Sequence, residues 1–93
     1  MREIVVLSSF ERSAKKLTPQ DKRRLGESLE KFNDFLLSGN ISPGFGFKKI
    51  NHDKYEFRVG IRLRVVLKAE GNIFYLVLVG NHDEIRKYLR DFR

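Results

Sequence analysis

The sequence predicts an α+β domain in which an N-terminal strand and a helical hairpin pack on a mostly antiparallel, twisted sheet that is followed by a short C-terminal helix. Three observations predict it. Apolar residues recur at helical spacing between positions 8 and 38, alternate with charged residues from 55 to 68, and fill 73–79 almost without interruption. The first pattern belongs to amphipathic helices, the second to half-buried strands and the third to a strand covered on both faces.

Residues 3–8, with the β-branched Ile4, Val5 and Val6, alternate weakly and read as a strand. Ser8 and Glu11 have the spacing of a capping box, which predicts a short helix starting there with Phe10, Ala14 and Leu17 on one face. Thr18-Pro19 starts a second helix: Thr18 is the N-cap, and Pro19 takes the first helical position, where a missing N–H costs nothing. Leu25, Leu29, Phe32 and Leu36 form its apolar stripe, and Ser38-Gly39 stops it. Residues 38–46 are a loop by composition. Gly44 and Gly46 within it make no phosphate loop, since no strand precedes them and no Lys-Ser or Lys-Thr follows.

The second half predicts strands. Phe47–Ile50 is short. Tyr55, Phe57 and Val59 alternate with Glu56 and Arg58, and Leu63, Val65 and Leu67 alternate with Arg62, Arg64, Val66 and Lys68. Glu70-Gly71-Asn72 forms a hairpin turn before the continuous strand 73–79. Gly80 ends that strand, and Asn81 caps a last helix in which Ile85, Leu89 and Phe92 share a face.

A chain of 93 residues is expected to form one domain spanning 1–93, with a small core helped by eight Phe and three Tyr. Without cysteine, disulfides, thiol catalysis and Cys-ligated metal are excluded, which suits a reducing cytoplasm. No run is long enough for a signal peptide or a membrane-spanning helix, so a cytoplasmic protein without membrane association is expected. The net charge is +7, of which residues 47–93 carry +5. Such a balance suits a polyanionic partner: nucleic acid, an acidic protein or a membrane surface.

The candidate site residues follow from this charge. Alternation places Glu56, Arg58, Arg62, Arg64 and Lys68 on the strand faces opposite the apolar sets, either as a basic strip for phosphate or as an ordinary solvated face. His82 stands where the long strand ends and the last helix begins, at a helix N-terminus that attracts anions; the alternative is a turn histidine with its ring in water. Tyr88, one to two turns on, either stacks on a base or packs beside Ile85 and Leu89. His52, in Asn51-His52-Asp53, reads as a loop residue. Two histidines without cysteine make a poor transition-metal site, and the sequence has no His-Glu-x-x-His, so neither a metal nor another cofactor is expected. One imidazole and one phenol on a basic surface suit phosphodiester cleavage by general acid–base chemistry.

Several segments taken in order resemble the RelE/ParE superfamily of toxins from bacterial type II toxin–antitoxin systems. They are Phe10-Glu11-Arg12-Ser13-Ala14-Lys15-Lys16-Leu17, Phe47-Lys48-Lys49-Ile50, Tyr55-Glu56-Phe57-Arg58-Val59, Leu63-Arg64-Val65-Val66-Leu67 and Val79-Gly80-Asn81-His82-Asp83-Glu84-Ile85. The resemblance covers nearly the whole chain and implies a fold like the microbial ribonucleases. Its RelE branch implies a metal-independent mRNA endonuclease working on the ribosome. Arg64 then matches the strand arginine at the scissile phosphate, and Arg58 a second strand cation. His82 matches the catalytic histidine of YafQ-like members, where RelE itself has arginine, and Tyr88 the C-terminal tyrosine. Glu56 departs from the pattern, since RelE has lysine there.

The implied mechanism is attack of a 2′-OH on the adjacent phosphate. His82 serves as general acid or base, Arg58 and Arg64 stabilise the phosphoryl oxygens, Tyr88 orients the substrate, and Lys48, Lys49, Arg62 and Asn81 contact RNA. The implied partners are the ribosome, mRNA and an acidic antitoxin, with operator DNA bound only by the toxin–antitoxin complex. Two other readings stand beside it: a non-enzymatic toxin like the ParE branch, which binds DNA gyrase, and a basic RNA-binding module without toxicity.

Overall fold

The computed structural model describes residues 3–41 and 43–91. Its elements run β1 (Glu3–Val6), α1 (Ser8–Lys15), α2 (Pro19–Ser38), β2 (Lys48–Asn51), β3 (Lys54–Val59), β4 (Leu63–Glu70), β5 (Ile73–Gly80) and α3 (His82–Asp91). The five strands form one sheet in the order β1-β5-β4-β3-β2. β1 lies parallel to β5, and the other neighbours are antiparallel. This is the α+β architecture that the patterning predicts.

Period-2 alternation divides the sheet into two faces. Phe57, Val59, Val65, Leu67, Phe74, Leu76 and Val79 point to one, where Phe10 of α1 and Leu25 and Phe32 of α2 complete the main core. Phe32 sits at its centre, with ring centroids 5.1 Å from Phe57 and 5.5 Å from Phe74. Offset and edge-on aromatic pairs at such distances add to area burial. The loop before β2 contributes as well. Phe45 is 3% exposed, and its ring centroid is 4.8 Å from that of Phe57. Its carbonyl accepts the Arg58 N–H at 2.9 Å, so the loop runs beside β3.

The opposite face carries α3, whose Ile85 packs with Val66 and Val77 while Leu7, Leu78, Tyr88 and Leu89 flank them. A register shift explains this second cluster. Val66 pairs with Leu78 and Leu67 with Leu76, so Val77 is the extra residue of a bulge, and Val77 and Leu78 both join the α3 side. β1 stops at Val6, and α1 takes over the rest of that edge of β5. Ser9 Oγ donates to the Val77 carbonyl at 2.7 Å, and the Val79 N–H donates to Ser13 Oγ at 3.1 Å. These bonds satisfy backbone groups that an open edge would leave exposed.

The helix boundaries follow local chemistry, with one correction. Thr18 Oγ1 accepts the Asp21 N–H at 3.1 Å, and Gly39, at φ 78°, closes α2 by donating to the Phe35 carbonyl. The predicted Ser8/Glu11 capping box does not form. β1 runs almost directly into α1, so Leu7 occupies the N-cap with no side-chain cap, and Ser8 is already inside the helix. The strand predicted over residues 3–8 accordingly ends at Val6. The third residue of the predicted C-terminal stripe, Phe92, lies outside the described residues.

Candidate active site

α3 starts at His82 because the two preceding residues make the helix begin there. Asn81 Oδ1 accepts the Glu84 N–H at 2.9 Å, and Glu84 Oε1 accepts the Asn81 N–H at 2.9 Å, a reciprocal capping box. Gly80 leaves room for it, since a Cβ there would lie 3.0 Å from Glu84 Oε1. The exposed His82 is thus held by the end of β5 on one side and a capped helix on the other.

From this corner a cleft of 310 Å³ runs between β2 and α3. Lys48, Lys49 and Ile50 form one wall, Glu56 and Arg64 the floor, and His82, Ile85, Arg86 and Leu89 the α3 wall. The floor follows from strand register. Lys48 pairs with Glu56, and Arg64 pairs with Arg58 on one side and Gly80 on the other. Arg64 therefore lies one strand away from the residue that leads into His82.

Glu56 organises the cations. Its Oε1 lies 3.3 Å from Arg64 NH1 and 3.3 Å from Lys48 Nζ. The Glu56 side chain is only 8% exposed, against 26% for Arg64 and 65% for Lys48. Arg58 stands directly across from Arg64 and shares its face, but it is exposed and its stem lies against Gly46. Gly46 has φ 69°, and a Cβ on it would come within 2.9 Å of Arg58 Cγ, so the loop's glycine is what lets the arginine lie there.

The predicted residues do not all meet. The structure brings together His82, Arg64, Lys48 and Lys49. Tyr88 lies on the other flank of α3, half-buried with Leu78 and Leu89 in the apolar cluster, and lines a separate depression with Glu84, Lys87 and Asp91. Arg62 belongs to the turn between β3 and β4, where strand alternation no longer governs side-chain direction. It lines a different hollow with Gln20, Asp21 and Arg24 of α2. The Asn81 side chain is used in the helix cap. His52 is exposed in the β2–β3 turn, as its loop setting predicts. Arg86 was not singled out by sequence reasoning; its signal is the i, i+4 spacing from His82, which places two residues on one helix face. Among the described residues, no group of three His, Asp or Glu side chains is placed to hold a metal ion.

No family model and no curated protein matches this sequence. Solved structures do match its backbone. The RelB–RelE antitoxin–toxin complex from Methanococcus jannaschii aligns over 90% of this chain and 96% of its own, with TM-score 0.68 and 19% identity. The fold is that of the RelE-like toxins. The Escherichia coli DinJ–YafQ complex aligns over 91% of this chain and 98% of its own, with TM-score 0.68 and 12% identity. The RelBE2 toxin–antitoxin complex of Mycobacterium tuberculosis aligns over 87% and 91%, with TM-score 0.58 and 17% identity. In this RelE-like frame the cleft lies between β2 and α3, on the sheet face opposite α1 and α2.

Proposed function

We propose that this chain is the toxin of a type II toxin–antitoxin system and acts as a metal-independent endonuclease on mRNA in the ribosome. One observation carries the reading: His82 and Arg64 line the same cleft as Lys48, Lys49 and Arg86. An imidazole and a guanidinium lining one cleft, with further cations on both walls, are an arrangement for a phosphodiester. Arg58, paired directly with Arg64 across two strands and on the same face, adds a further cation beside the cleft.

The chemistry is cleavage by the substrate's own 2′-OH, which loses its proton to solvent water, bonds to the adjacent phosphorus and expels the 5′-oxygen, leaving a 2′,3′-cyclic phosphate and a 5′-OH. His82 gives the leaving oxygen its proton. Arg64, with Arg58 beside it on the sheet, stabilises charge growing on the phosphoryl oxygens, where one placed donor is worth about 3–4 kcal/mol. Lys48, Lys49 and Arg86 hold neighbouring phosphates without reading sequence. An acidic antitoxin that neutralises the protein would cover this cleft, and relatives of the same fold are known in complexes with antitoxins. The cytoplasm, where ribosomes and mRNA are found, is the corresponding compartment.

The test is cleavage of a defined mRNA on translating ribosomes, beside a DNA gyrase supercoiling assay. Cleavage without any effect on gyrase supports the reading. Gyrase inhibition without cleavage would assign the chain to a ParE-like role, and RNA binding without either would leave an RNA-binding module.

A further inference from the structure

We propose that Glu56 is an internal counter-anion of the cleft, a positioning residue that holds Arg64 and Lys48 in place and that an incoming phosphate must displace. The inference rests on the reading of the cleft as a phosphate site and adds to it how binding there is limited. Glu56 sits in the middle of a three-strand row, with Lys48 on one side and Val66 on the other. The apolar residues Ile85 and Leu89 of α3 line the same cleft. A buried strand position under an apolar helix stripe suits a residue like Val66, and placing a carboxylate there costs desolvation. Among the described residues that cost is offset by two partners, both at 3.3 Å from the same oxygen, Oε1.

The geometry makes the carboxylate a rival of the substrate. A guanidinium offers five N–H donors in a planar fork, and the Arg64 contact to Glu56 runs through NH1. A phosphate arriving at Arg64 and Lys48 meets donors already turned toward a negative charge, and it is repelled by that charge at close range. The cleft has four cations against this one carboxylate, so an anion still binds. Glu56 thereby keeps the two long side chains ordered before substrate arrives and weakens the hold on any phosphate, including that of the product.

Inorganic phosphate titrated into the whole chain, followed by calorimetry, tests this independently of catalysis. Glu56→Gln and Glu56→Met keep the volume and remove the charge. Each should bind phosphate at least about fivefold more tightly than the natural protein, the effect of one unit charge about 4 Å away in a water-like dielectric, and more as the protein lowers that dielectric. Glu70→Gln, which removes an exposed carboxylate paired with Lys68 at the far end of β4, should leave the affinity unchanged. Unchanged or weaker binding in both Glu56 variants would overturn the proposal, as would failure of both to fold, because the carboxylate would then be a structural pair. Tighter binding in a protein that cleaves no RNA would uphold Glu56 and defeat the endonuclease reading. Cleavage with phosphate affinity insensitive to Glu56 would do the reverse.

Discussion

Asn81 and Glu84 cap each other, side chain to backbone N–H in both directions at 2.9 Å, and the residue they enclose first is His82. The cap fixes where α3 begins and so where the imidazole stands relative to Arg64.

Asn81→Ala should therefore act on both stability and activity. Losing an N-cap acceptor costs about 1 kcal/mol, readable by chemical denaturation. Displacement of His82 should lower mRNA cleavage by roughly tenfold or more. Asn81→Asp keeps the acceptor oxygen and should keep both properties near those of the natural protein.

Arg64 and Arg62, two positions apart in sequence, face different hollows. Arg64→Ala should abolish growth arrest on induced expression while the protein remains folded, losing about 3–4 kcal/mol of transition-state stabilisation. Arg62→Ala should leave growth arrest largely intact. Equal damage from the two would mean that the phosphate-binding arginine has been misassigned.

Arg86 and Tyr88 lie on different flanks of α3. Arg86→Ala should weaken RNA binding and reduce its salt dependence, with little change in unfolding midpoint. Tyr88→Ala removes a ring from the cluster around Val66, Val77 and Ile85 and should lower stability by about 1–3 kcal/mol. Tyr88→Phe separates the phenol from the ring: retained cleavage would assign the residue to packing.

A hydrogen bond from Lys54, at 3.2 Å from Nζ to Oδ1, is the main cause holding the Asp53 carboxyl below its ordinary value. A carboxyl depressed on folding stabilises the protein above its unfolded value, near 3.9, and that contribution is lost as pH falls through the folded value. Asp53→Asn should therefore lower the melting temperature slightly at neutral pH, and the difference should vanish in strong acid. A difference that persisted unchanged at low pH would rule out this pair as its source.

Much of this was legible in the sequence because local chemistry and tertiary structure agree. Thr18-Pro19 and Gly39 bound α2, Gly71-Asn72 turns β4 into β5, and alternation through Tyr55–Val59 sorts apolar from charged faces. What was not legible depends on contacts distant in sequence. The bulge at Val77 cannot be read from an unbroken apolar run, yet it builds the surface on which α3 rests. Ser8 and Glu11 have the right spacing for a cap, but the incoming strand leaves Leu7 at that position. Arg62 follows the parity of a strand although it lies in a turn. Alternation put Glu56 on the charged face and the resemblance marked it as a departure; that it pairs with both Lys48 and Arg64 follows from the β2–β3–β4 register.

The most direct test is single-turnover cleavage of mRNA on translating ribosomes by the natural protein and by His82→Gln. A histidine acting in proton transfer contributes about 10²–10⁴-fold in rate. The account predicts a loss of that size in a protein that folds normally and binds ribosomes as before, because the cations of the cleft remain. A His82→Gln variant that cleaves at the natural rate would contradict it.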